Sequence, residues 1–187
     1  MAAITSGEIL FKYSVSAAAG NTTASSAAAS LGDQISTTAW AGGSANDLFD
    51  DISGAENAAS AVDYRCIFVH NSNGANALQS AVAYLSAETA GGASIAIAVD
   101  NIAASAIGSA SAIGSASAQA AVIATETTTP SGVGAFSSPT TAGAGIALGN
   151  IPSGSCRAIW VRRTAANSSA LSNDGVTIAV TGDTGSL

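Results

Sequence analysis

The sequence predicts an all-β fold, a β-sandwich or jelly roll of about seven or eight strands joined by long Ala/Ser/Gly-rich loops. Three observations carry this. Short segments alternate apolar and polar residues with a period of two, the stretches between them are rich in turn-forming residues, and no segment has the length and periodicity of an amphipathic helix. The 187 residues are enough for one sizeable core, so 1–187 is read as a single β-rich domain. Within it, residues 1–7 are expected to form an N-terminal arm and 16–45 a loop or extended excursion.

Residues Glu8 to Val15 read EILFKYSV, with Ile9, Phe11, Tyr13 and Val15 on one face, which is a strand pattern. The stretch SAAAGNTTASSAAASL from Ser16 to Leu31 would tolerate a helix at its alanines, but Gly20, Asn21 and the Ser/Thr cluster interrupt it. Asp47 to Glu56, DLFDDISGAE, sets four acids among Leu48, Phe49 and Ile52, as a tight loop or a short helical turn anchored to a core would. The clearest strand follows at Val62 to Asn71, VDYRCIFVHN. Val62, Tyr64, Cys66, Phe68 and His70 share one face and Arg65, Ile67 and Val69 the other, so both faces are expected to be covered.

Further strands are expected at Gln79 to Leu85, Ala93 to Val99, Ile146 to Ile151, Ser155 to Arg163 and Asp174 to Gly182, with the glycines at 91 and 92 marking a turn. An internal echo relates RCIFVH, from Arg65, to RAIWVR, from Arg157, and assigns both segments to matching central positions in the core. The hexapeptide SAIGSA occurs at 105–110 and again at 111–116. Two copies are too few for a solenoid, which needs at least about three, so the repeat is read as part of a low-complexity loop. The Pro-, Gly- and Thr-rich stretch 127–145 is read as a long ordered loop. Loops 101–120 and 127–145 are expected to be contact surfaces.

Charged residues make up 9% of the chain, and its 12 acids against five bases give a formal net charge of -7. Phosphate neutralisation needs a basic cluster, so no nucleic-acid partner is expected. A surface with so few long charged side chains loses little desolvation energy or rotamer entropy on contact, which favours assembly, with copies of itself among the expected partners. The uncharged run between Asp100 and Glu126 is diluted by Ser, Gly and Ala, so no membrane span is expected. The start, MAAITSGEILFKY, lacks the basic and apolar pattern of a secretory leader, and export is not expected.

No catalytic, cofactor-binding or metal site is assigned, and no cofactor. The chain has one histidine, His70, and no GxSxG, P-loop, dinucleotide-binding or HExxH pattern, so no enzyme activity is expected. His70 is read as a strand-end side chain bonded to backbone or water. Asp47, Asp50, Asp51 and Glu56 could offer carboxylates to Ca²⁺, but their spacing does not match an EF-hand loop; helix capping and solvated acids are the simpler assignment. Cys66 and Cys156 lie in predicted strands outside any metal-ligand spacing and are read as buried thiols, with a disulfide as the alternative. Arg162 and Arg163 fall on opposite faces of one strand, leaving one of them to meet the acidic segment near Asp50, within the chain or across an interface.

Two stretches, LFDDISGAENAASAVDYRCIFVHNSN at Leu48 to Asn73 and AIWVRRTAANSSALSNDGVTIAVTGDT at Ala158 to Thr184, resemble virion structural proteins of tailed bacteriophages. The resemblance covers less than half of the chain and leaves out its Ala/Ser-rich middle. It implies a capsid decoration, or cement, protein, made in the host cytoplasm and carried on the virion surface, with the major capsid protein and copies of itself as partners. The alternative is a tail, baseplate or fibre module that binds a host-surface receptor, for which exposed loop aromatics are needed. Most aromatics lie in predicted strands; Trp40 and Phe136 are among those that do not.

Overall fold

The computed structural model describes residues 3–16, 23–106, 119–169, 171 and 174–184. Its centre is a pair of ten-residue strands, β3 (Val62–Asn71) and β8 (Ser155–Thr164), aligned antiparallel from Val62↔Thr164 to Asn71↔Ser155. These hold the echoed RCIFVH and RAIWVR segments. Their β-branched and aromatic residues suit a sheet buried on both faces.

Around that pair stand β1 (Ile9–Val15), β2 (Gln34–Ala39) and β5 (Ser94–Val99), giving a large antiparallel sheet in the order β2-β1-β3-β8-β5. A two-residue strand, β6 (Ser105–Ala106), also pairs with β8. A second sheet has the order β7-β4-β9, from β4 (Leu78–Glu88), β7 (Ile146–Ile151) and β9 (Val176–Asp183). One short helix, α1 (Gly54–Ala59), completes the main elements among the described residues. The fold is a β-sandwich of eight longer strands, as the alternation predicts.

Ile67, Val69, Ile95, Ile97, Ile159 and Val161 on the inner face of the large sheet pack against Ala81, Ala83, Leu85, Leu148, Ile151 and Ile178 of the small one. Small alanines face bulky isoleucines, which lets the layers interdigitate. The other face of the large sheet is also covered, by chain outside the sheets. Leu31, Ala120, Ile123, Val133 and Phe136 lie over Cys66, Phe68, Ala158 and Trp160. Phe68 and Trp160 are fully buried there; hiding a side chain like Phe68 contributes roughly 1.5 to 3 kcal/mol.

The covering segments also bond to the sheet. Where β1 stops pairing with β3, Cys66 N donates to Ser30 O at 2.8 Å and Tyr64 N to Glu126 O at 2.7 Å. The open side of β5 is taken by the stretch 127–145, where Ile97 N donates to Ser137 O (2.8 Å) and Gly134 N to Val99 O (2.8 Å). Both contacts satisfy backbone groups that a bare edge would leave open. Buried Asn71 links the layers: its Nδ2 donates to Ile151 O of β7 at 3.0 Å and to Asn76 O at 2.8 Å.

Several expectations need adjustment. The segment 16–45 contributes strand β2 at Gln34–Ala39, because Ile35 is fully buried under the covering layer although its neighbours are polar. Within the expected arm 1–7, Ile4 packs on the core while Ala3, Thr5, Ser6 and Gly7 are exposed, and Glu8 accepts from Thr5 N at 2.7 Å and from Asn73 Nδ2 at 2.8 Å. Strand β4 runs past Leu85 to Glu88, held by β9 through Ala87↔Thr177 and Glu88↔Val176. The repeat SAIGSA lies outside the described residues beyond Ala106.

Candidate functional site

The acidic segment closes one end of the sandwich. Ser53 and Glu56 form a capping box on α1, with Glu56 N donating to Ser53 Oγ at 3.3 Å and Ser53 N to Glu56 Oε2 at 2.7 Å. Those hydrogen bonds stabilise the charged form and hold the Glu56 carboxyl below its ordinary pKa. Asp50 Oδ1 accepts from Arg163 Nη2 at 3.1 Å, and its carbonyl accepts from Nη1 of the same guanidinium. Arg163 is buried, and its second partner is the buried Asp63, whose Oδ2 accepts from Nη2 at 2.7 Å and from Nε at 3.2 Å. The contact expected between one arginine and the acid segment is thus formed by Arg163, within the chain.

Phe49 lies between two guanidinium groups, 4.8 Å from Arg163 and 5.7 Å from Arg65, measured to the ring centroid. Arg65 in turn pairs with Glu126 of the covering layer. The opposite-facing Arg162 lies 5.2 Å over the ring of Phe136. Of the four acids Asp47, Asp50, Asp51 and Glu56, Asp50 is therefore bonded to Arg163 and Glu56 caps α1, in line with capping as the simpler assignment. Among the described residues no three His, Cys, Asp or Glu side chains converge closely enough to hold a metal ion.

Beside this cluster is an open cleft of about 970 Å³, walled by residues 43–54, the β4–β5 turn and part of 166–177. Trp40 Nε1 and Asp47 Oδ2 both line it, and each is buried without a protein partner. They form no nucleophile–base pair.

His70 is half-buried at the end of β3, and burial, reinforced by Lys12, lowers its pKa to about 4. At neutral pH it is an uncharged imidazole whose buried Nδ1 has no hydrogen-bond partner within the protein. Cys66 and Cys156 are free and buried. Burial pushes the Cys156 thiol up to about 12 and Cys66 well above its ordinary value. Cys66 stands opposite Trp160, and Cys156 opposite His70, four residues further along β3. That offset is roughly 13 Å of strand, beyond disulfide reach.

The remaining distinctive surface is the outer face of the small sheet. Val82 stands between Ala147 and Thr181, and Tyr84 stands beside Ala179. These residues alternate with the buried Ala81, Ala83, Leu85, Leu148 and Ile178 and point to the opposite side. Ala147 and Thr181 are exposed, and Val82, Tyr84 and Ala179 are half-exposed. Charge enters only at the margins, at Glu88 and Asp183. Alternation in β9 is visible in the sequence, but the extent of this neutral face depends on which strands lie beside β4, and residue order alone does not give that.

No protein-family model matches this chain, and neither a curated protein nor a solved structure does.

Proposed function

We propose that this chain is a structural virion protein that binds the outside of a tailed-phage capsid and stabilises it as a decoration, or cement, protein. The observation that carries the reading is the neutral outer face of the small sheet in a chain of net charge -7. Such a face can be covered by another protein with little desolvation of charge. The resemblance of Leu48–Asn73 and Ala158–Thr184 to phage virion proteins supplies the partner, the major capsid protein. Those two stretches contain β3 and most of β8, the central pair on which the other elements are arranged.

A cement protein works by mass action: it binds the assembled shell and not the dissociated capsomers, and so lowers the free energy of the shell. Contacts repeated by symmetry then act together. The receptor-binding alternative draws no support from the loop aromatics. Trp40 packs edge-on against Phe11 at 5.7 Å, and Phe136 against Tyr64 at 5.5 Å.

The test is cryo-electron microscopy of the particle carrying this chain, together with a Val82→Glu/Tyr84→Glu variant. Density bridging capsomers on the outer surface, lost in the variant, is the expected result. Density confined to a tail or fibre, or full capsid occupancy by the variant, overturns the reading.

A further inference from the structure

We propose that strand β9 is a docking edge for the same strand of a second copy, so that two chains join their three-stranded sheets across a two-fold axis. The inference rests on the edge itself and holds wherever the protein resides.

The large sheet leaves little of its edges open: 127–145 covers β5, and Thr37 N of β2 donates to Thr23 O at 2.9 Å. The small sheet ends in β7 and β9. β7 carries an interruption, because Ala81↔Gly149 is followed by Val82↔Ala147, which places an extra residue at Leu148 beside Gly149 with φ +73°. A bulge of this kind disrupts an edge for pairing. In β9 the case is reversed. Both irregularities of the β4–β9 ladder put their extra residue in β4, so β9 runs regularly from Val176 to Asp183.

Beyond its ladder with β4, β9 makes no backbone hydrogen bond to any other strand among the described residues. Its alternate N–H and C=O groups therefore face outward along a regular eight-residue strand. The sequence VTIAVTGD has no Lys, no Pro and no inward charge, the devices that usually protect an edge. A strand is the group that satisfies such an edge.

Self-complementarity selects a second copy as that strand. Two chains of net charge -7 repel, salt screens that repulsion, and contact along 176–182, which carries no charge, adds no close acid–acid pair to it. In an antiparallel self-pairing, inward residues face inward residues only if one residue pairs with its own copy. With Ala179 on the axis, Thr177 faces Thr181 and Ile178 faces Val180. Asp183 then falls opposite Gly175 and Asp174 opposite Thr184, so no two acids meet. Thr–Thr and β-branched cross-strand pairs are favourable. Strand addition is also an isologous contact, which closes as a dimer and does not propagate.

The experiment is sedimentation equilibrium of the full chain from low micromolar to several hundred micromolar, with hydrogen exchange at both ends of that range. A reversible monomer–dimer equilibrium with β9 amides protected at high concentration is expected. Thr177→Lys/Thr181→Lys, at two exposed positions, sets Lys against Lys across the axis and should weaken the dimer at least roughly tenfold. Ala147→Lys on exposed β7 should leave it unchanged. A chain monomeric throughout, a dimer insensitive to the threonine pair, or β9 exchange independent of concentration each overturns the proposal. Should circular dichroism show the double variant unfolded, exchange in the unmodified chain decides.

Discussion

The indole Nε1 of Trp160 donates to Asp100 Oδ2 at 3.0 Å, on the covered outer side of the large sheet. Asp100 is fully buried and also accepts from Ala121 N at 2.8 Å and Ile102 N at 3.0 Å. One carboxylate thus joins β8, the end of β5 and the covering layer. Replacing it with alanine strands three donors, and each buried group left unpaired costs about 1 to 3 kcal/mol. Asp100→Ala is expected to lose at least roughly 2 kcal/mol in urea denaturation. A loss within the error of the wild-type value would show that water reaches those donors.

The Arg163–Asp63 pair is buried on both sides, at 8% and 6% side-chain exposure, whereas Asp50 is 64% exposed. Arg163→Ala leaves Asp63 as an uncompensated buried charge, a change that typically costs about 3 to 5 kcal/mol. Asp50→Ala should cost under about 1 kcal/mol. A double-mutant cycle checks this: Asp63→Ala/Arg163→Ala should be less destabilised than the sum of its single variants, and strict additivity would contradict the coupling.

Gly32 sits at φ +98°, and a Cβ there would come within 1.8 Å of the Ala121 carbonyl. Gly149 also has positive φ, +73°, but nothing within 4 Å. Gly149→Ala therefore bears only the conformational cost of a left-handed residue, about 1 to 2 kcal/mol. Gly32→Ala must in addition displace the covering layer, and its thermal midpoint should fall further. Equal shifts would mean that the 120–123 segment moves aside freely.

Because burial depresses the pKa of His70 in the folded chain from 6.5 to about 4, the unfolded chain binds a proton first as the solution is acidified. The stability contributed is present above the unfolded value and lost as pH falls through that interval. Glu8 and Glu56, whose hydrogen-bonded carboxyls are also lowered, lose stability in the same direction below their ordinary range. His70→Gln is expected to reduce the fall in urea midpoint between pH 7 and pH 4.5, and an unchanged fall would assign the effect to other groups.

The two thiols should be silent in the folded chain. Burial keeps both protonated at neutral pH. A chromogenic disulfide reagent is expected to report no reactive thiol under native conditions and both thiols in denaturant, with reductant leaving stability unchanged. Reaction of Cys156 in the native chain would show that β6 opens readily from β8.

Period-two alternation determined the strands of this protein almost alone. The central β3, the terminal β9 and the two covered faces predicted for VDYRCIFVHN follow from side-chain direction, a local property of extended backbone. The meeting of Arg163 with the acid segment was likewise foreshadowed by parity along β8. The tertiary structure decided what parity does not reach. Strand β2 carries the β-branched Ile35, Thr37 and Thr38 but too few apolar residues for alternation to reveal it, and burial of Ile35 under another segment decides it. Asp100, read in the sequence only as the start of an uncharged run, is the buried acceptor because Trp160, sixty residues later, lies beside it. The neutral sheet face and the open edge of β9 arise from strand order, which depends on contacts between distant segments. Alternation says which side of a strand is buried; only the assembled sheets determine which edge remains unpaired.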